Sequence, residues 1–160
     1  MFVLAPKRDV EKKLVYELTF TEQDLEGVDT PYNDALVRMV NICNYDVKRV
    51  LIDLGSSFEI MYLNLYNRLQ PYIPKKAIRS VDMPIYNFSG EAVWPIAIVE
   101  VPVSIGQVIV NMEFFVMNID SPYNAIPGRN WLGEMKAVVS PFHQKLKFHL
   151  LKGVVVIRGK

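Results

Sequence analysis

The chain has 160 residues, 51% of them hydrophobic and 22% charged, which fits one domain with a sizeable core and argues against disorder. Its 18 Lys and Arg against 17 Asp and Glu leave a net charge of +1 with no basic stripe, so no direct nucleic-acid binding is expected. No apolar run approaches the roughly 18 residues of a membrane span, and the one cysteine, Cys43, excludes an intrachain disulfide framework.

Residues 1–13 form a polar leader or linker, crowded with Lys7, Arg8, Asp9, Glu11, Lys12 and Lys13. The short apolar stretch before them lacks the leading charge of a signal peptide. With a single cysteine, this points to a reducing, cytoplasmic location. Residues 14–160 read as one domain. Leu14, Tyr16, Leu18 and Phe20 alternate as in a strand, and Thr21 with Asp24 fits a capping box on a short helical turn. Ala35 to Ile42 and Val47 to Ile52 read as two strands joined by a turn at Asn44-Tyr45.

Phe58, Met61, Tyr62, Leu65, Tyr66 and Leu69 then fall on one face of a 3.6-residue period. This predicts a helix over 58–69, capped by Ser56 and Glu59 and ended near Pro71. Strands follow at 84–88, 92–103 and 108–117, with turns at Ser89-Gly90 and Gly106-Gln107. Asn130 is placed to cap a short helix through Met135. Leu146, Phe148 and Leu150 alternate, and 154–157 pairs back after a turn at Lys152-Gly153. The fold class is mainly β, a barrel or sandwich with two short helices.

Asp53 is the sharpest chemical feature. It ends the apolar run Val50-Leu51-Ile52, where a carboxylate is costly unless it is used or paired. Gly55 permits an unusual backbone angle and Ser56 offers a hydroxyl. An ordinary Asp-Gly turn with a helix cap explains these residues equally well. A second feature lies about 75 residues on, at Ala125-Ile126-Pro127-Gly128-Arg129-Asn130-Trp131-Leu132.

Together, Leu51-Ile52-Asp53-Leu54-Gly55-Ser56 and Ile126-Pro127-Gly128-Arg129-Asn130-Trp131-Leu132 resemble the two signatures of retropepsin-like aspartic proteases. The likeness is nearest to the protease segment of plant gypsy-class LTR retrotransposon polyproteins. It is carried further by 20–25, 31–36, 44–53 and 121–126 and covers roughly 18–158. The resemblance implies a retropepsin-like acid protease barrel and an aspartic endopeptidase acting on polypeptide substrate. It assigns Asp53 as the catalytic residue, Leu54, Gly55 and Ser56 as its loop, and Ile126, Gly128 and Arg129 as loop supports. Phe88, Ser89 and Gly90 would lie in the flap, although an ordinary surface hairpin fits them as well. Trp94 fits a place behind that flap, and a core position better.

Asp34, Asp46, Asp82 and Asp120 lack a following Gly at the right spacing, so the chain has one catalytic loop. A working site then needs a homodimer with one Asp53 from each copy, the two carboxylates sharing a proton. Three departures weigh against an intact site. Leu54 stands where the family carries Thr or Ser, whose hydroxyl ties the two loops together. Pro127 replaces an apolar residue and removes a backbone N–H. Ser57 stands where Arg129 would meet an acid, leaving Glu59 as the nearest candidate. The alternative is therefore a catalytically inactive fold acting as a dimerisation or interaction module. No cofactor is implied. His143, His149 and Cys43 have no metal-ligand spacing, Gly55-Ser56-Ser57 is no nucleophile elbow, and no membrane association is expected.

Overall fold

The computed structural model describes residues 18–28, 36–53, 55–87, 89–150 and 153–159. The expected leader at 1–13 and the start of the first expected strand lie outside them. Residues 18–20 are not a strand.

The first hairpin joins β1 (Leu36–Ile42) to β2 (Tyr45–Ile52). Its turn is Cys43-Asn44, one residue earlier than expected, with φ of 55° and 69°. Two left-handed residues are what a two-residue loop needs to match the twist of its strands. Leu36, Val40 and Ile42 on one strand and Val47, Val50 and Ile52 on the other point into the core. The register slips between Arg38 and Val40, and Arg49 takes a φ of 55°.

The helix expected from residue 58 is divided. Ile60–Tyr62 is a strand, β3, and only Leu63–Leu69 is helical, α1. Both periods place apolar residues inward: Met61 is buried through the strand, Leu65 and Leu69 through the helix. Phe58 is exposed. The strand wins because it lies between two neighbours. It runs parallel to β8 (Val108–Met117), pairing Ile60 with Phe115, and antiparallel to β9 (Ala125–Ile126), pairing Ile60 with Ile126. The capping box of Ser56 and Glu59 therefore does not form.

After β4 (Ile78–Arg79) comes a small hairpin of β5 (Ile85–Tyr86) and β6 (Ala92–Val93). The single strand expected over 92–103 is broken at Trp94-Pro95, because proline has no N–H to give a ladder. It resumes as β7 (Ala97–Ile105), which pairs with β8 along its whole length. Trp94 is 59% exposed and Trp131 1%, so the core tryptophan is Trp131. The second helix, α2, is Arg129–Met135, with Gly128 rather than Asn130 at its N-cap. It stops at Lys136, whose φ of 52° is left-handed. The chain closes with β10 (Val138–Ser140), β11 (Lys145–Leu150) and β12 (Gly153–Arg158) in an antiparallel three-stranded sheet.

The main sheet runs β1-β2-β9-β3-β8-β7-β4, and β1 also pairs with β7. That extra pairing closes six strands into a barrel, and β4 pairs with β7 as a seventh. The fold is mainly β, a barrel with two short helices, as the sequence implies. No helix among the described residues is long and apolar enough to cross a membrane.

The segment before β1 is strapped to the last sheet by ions. The Asp24 carboxylate accepts the Thr21 N–H at 2.9 Å, completing the expected turn over Glu22–Leu25. Lys147 Nζ lies 2.9 Å from Asp24 Oδ2, and Lys145 Nζ donates to the Asp24 carbonyl at 2.6 Å. Lys145 is only 3% exposed. Burial pushes the Asp24 carboxyl up, but the Lys147 and Thr21 hydrogen bonds and both ammonium charges outweigh it. The pKa comes to about 2, from 3.8. A depressed carboxyl stabilises the fold above its unfolded pKa and stops doing so as pH falls through the folded one. Asp24 should thus contribute about 2 kcal/mol near neutrality, fading between roughly pH 4 and pH 2. Urea unfolding of Asp24→Asn should show that loss at pH 7 and a flatter stability profile below pH 4. An unchanged profile would contradict this account of the strap.

Candidate active site

The site begins with the strand that delivers it. Val50 and Ile52 anchor the end of β2 in the core, so Asp53 emerges half-buried at the barrel mouth. Its Oδ1 accepts the Gly55 N–H at 2.8 Å, and its carbonyl accepts the Ser56 N–H at 3.3 Å. The carboxylate is held by its own loop before any ligand arrives.

The loop is held in turn by the segment before α2. The Asp53 N–H points to the Pro127 carbonyl at 3.5 Å, and the Arg129 N–H donates to the Ser56 carbonyl at 3.0 Å. Pro127 lacks an N–H, but this clamp uses only its carbonyl. Gly128 lies in the tightest place. A β-carbon there would stand 2.7 Å from the Ser56 carbonyl oxygen and 2.8 Å from that of Phe58. Glu59, 7% exposed, turns its carboxylate to this same point, accepting the Gly128 N–H at 3.1 Å, with Asn130 Nδ2 at 3.5 Å. Glu59 thus binds the backbone of the second motif and does not meet Arg129. The exposed Arg129 donates instead to the Ser57 hydroxyl, the residue that stands in place of an acid.

A cleft of about 350 Å³ opens in front of the loop. Asp53, Gly55, Ser56 and Ile126 line it from the barrel side, and Ile85, Tyr86 and Val93 from the β5–β6 hairpin. Ile60, Met117 and Ile119 add apolar surface. Among the described lining residues Asp53 is the one carboxylate. Ser89 and Gly90 form the tip of the hairpin and do not line the cleft. Asn87 organises that tip: its Oδ1 accepts from the Ser89 N–H, the Ser89 hydroxyl and the Glu91 N–H, all within 3.1 Å, while Gly90 takes a φ of 82°. Leu54 and Phe88 lie outside the described residues. No group of three or more His, Cys, Asp or Glu among the described residues could hold a metal ion.

Sequence reasoning brought Asp53, its loop and the Gly128 segment to one place. It missed the roles of Glu59 and Asn87, and it missed the apolar lining from β3, β5, β6 and β8. A signal for Glu59 was present: it is a lone acid between Phe58 and Ile60-Met61, where an unused carboxylate is costly.

Comparison with solved structures bears on the fold. EIAV protease, in complex with an inhibitor, superposes with a TM-score of 0.54 at 20% identity, over 71% of this chain and 99% of the other. The fold is retropepsin-like. The retroviral protease-like domain of Ddi1 from Leishmania major aligns with a TM-score of 0.49 at 18% identity, over 78% of this chain and 94% of that one. A retropepsin-like aspartic protease from Rickettsia conorii gives 0.42 at 14%, over 68% and 84%. No family model and no curated protein matches the chain.

The clamp on the Asp53 loop makes two substitutions informative. Gly128→Ala places a methyl group against two fixed carbonyl oxygens and should destabilise by about 1–3 kcal/mol, as overpacking does. Glu59→Ala strands the buried Gly128 N–H and should cost about 1–3 kcal/mol. Urea unfolding measures both, and full stability in either variant would contradict the clamp.

Proposed function

We propose that this chain is an aspartic endopeptidase that works as a homodimer, with Asp53 of each copy contributing one carboxylate to a shared site. The observation that carries the reading is the placement of Asp53. It sits half-buried on a clamped loop at the mouth of an apolar cleft, with no second carboxylate among the cleft's described residues. An acid–base pair needs two carboxyl groups, and a second copy supplies the other.

The chemistry follows from charge. Two carboxylates about 3 Å apart cannot both ionise, so the pair holds one proton and titrates as a unit. The ionised member takes a proton from a water molecule as that water attacks the peptide carbonyl. The protonated member gives its proton to the carbonyl oxygen, which makes a gem-diol; the member that took the water's proton then passes it to the leaving nitrogen, while a gem-diol hydroxyl returns a proton to its partner and leaves one proton on the pair. The Gly55 N–H fixes Asp53 Oδ1 and so orients the carboxylate. The β5–β6 hairpin, with Ser89 and Gly90 at its tip and Phe88 beside them, is the flap that closes over the peptide and excludes water. The natural substrate is a polyprotein of a plant gypsy-class LTR retrotransposon in the cytoplasm. The motif segments around Asp53 and Gly128, together with 20–25, 31–36 and 121–126, support that assignment.

A second reading keeps the fold without the chemistry, as a dimerisation or interaction module. Leu54 favours it, since leucine cannot make the hydrogen bond that a threonine or serine would make between the two loops. Cleavage of an unstructured polypeptide between about pH 4 and pH 7, the range of a shared-proton pair, separates the two. The enzyme reading expects cleavage that rises steeply with protein concentration and is abolished in Asp53→Asn. Absence of cleavage by folded, dimeric protein overturns it in favour of the module.

A further inference from the structure

A second groove is larger than the cleft before Asp53. It holds about 840 Å³ at the far end of β2, against α1, and shares no lining residue with the cleft. Its size falls in the range of ligand clefts, about 300–1,000 Å³. Lys48, Arg49 and Arg68 line it with Tyr45, Tyr72 and Asn124. None of the three cations has an ion-pair partner among the described residues. The one acid of the groove, Asp46, accepts the Asn41 amide at 3.2 Å.

The groove is built rather than loose. Arg49 holds a left-handed φ of 55°, which a residue with a β-carbon adopts at a cost. Two contacts maintain it: its Nε donates to the Pro122 carbonyl at 2.9 Å, and its own carbonyl accepts the Asn124 N–H at 2.9 Å. Asn124 also donates its side-chain amide to the Lys48 carbonyl at 2.6 Å. The backbone at Lys48 and Arg49 and the Arg49 side chain are thereby held at the groove. Tyr45, at the start of the same strand, meets Tyr72 with ring centroids 5.2 Å apart at 45°. The rings remain 43% and 62% exposed, an open aromatic platform beside a positive wall.

We propose that this groove binds a nucleotide unit, its base against Tyr45 and Tyr72 and its phosphate on Lys48, Arg49 and Arg68. Every base has a π-face, so such a platform accepts bases without reading their sequence, while the cations track the phosphate. The unit is either a free nucleotide or part of a single strand, since both present the same base and phosphate. The net charge of +1 conceals this site, because the fold collects cations from positions 48, 49 and 68 into one groove. The inference is independent of catalysis at Asp53.

Fluorescence anisotropy with a labelled oligothymidylate of about eight nucleotides, within the usual span of single-strand sites, tests it on the full chain, alongside calorimetry with AMP. Saturable binding of either ligand is expected, the oligonucleotide arm pointing to a strand and the AMP arm to a free nucleotide. For the strand, log affinity should fall against log salt with a slope between about −0.7, for one neutralised phosphate, and about −2, if the three cations each meet a different one. Arg68→Glu and Tyr72→Ala, both exposed positions, should each weaken binding at least about fivefold while circular dichroism stays unchanged. The proposal is overturned if neither ligand saturates, if both variants bind like wild type, or if inorganic phosphate or polyglutamate competes as well as AMP.

Discussion

A β-carbon at position 128 would lie 2.7 Å from the Ser56 carbonyl oxygen, and the geometry around Asp53 follows from the space left by its absence. With only hydrogen there, the backbone before α2 can lie directly against the backbone after β2. Three contacts then form across the gap: the Asp53 N–H with the Pro127 carbonyl, the Arg129 N–H with the Ser56 carbonyl, and the Gly128 N–H with the Glu59 carboxylate. The turn bearing Asp53 is held by pairing with a segment distant in sequence, so its carboxylate stays fixed at the edge of an apolar cleft. Barrel closure supports the same arrangement. β9 leads into Gly128 and pairs with both β2 and β3, the strands on either side of the Asp53 loop.

Much of this was legible in the sequence, and the failures have physical causes. The β1–β2 hairpin was readable because two runs rich in apolar residues flank a polar turn, yet the turn lay one residue away, since Cys43 accepts a left-handed angle that its residue type does not advertise. The span 58–69 was misread because the spacing of Phe58, Met61, Leu65 and Leu69 suits a helix, and burial alone cannot distinguish a strand followed by a helix. What decides is long-range pairing of Ile60 with Phe115 and Ile126, which no local pattern encodes. Trp94 was read as core from its type, but it sits beside Pro95 where the strand breaks. Asp53, Gly55, Gly128 and Arg129 were placed together by two motifs. The apolar lining was not, because it comes from four separate strands.

The departures from the retropepsin pattern look different once the contacts are known. Pro127 contributes a carbonyl, which proline retains. Arg129 donates to the Ser57 hydroxyl, and the buried acid, Glu59, holds the Gly128 N–H. The clamp is therefore rebuilt with other atoms. Leu54 lies outside the described residues. The same chain carries a strapped N-terminal turn on Asp24, Lys145 and Lys147, and a basic, aromatic groove on the far side of β2. These features arise from residues that share no local motif, and the barrel brings them together.

The central claim is that one Asp53 carboxylate from each of two copies makes one site. Mixing wild-type protein with Asp53→Asn at a fixed wild-type concentration tests it most directly, with both held well above the dissociation constant of the dimer. If the claim holds, an equal amount of the variant lowers cleavage to about half, because mixed dimers hold one carboxylate and are inactive. Cleavage that persists undiminished as the variant is raised to large excess would show that a single copy works alone, and would contradict the account.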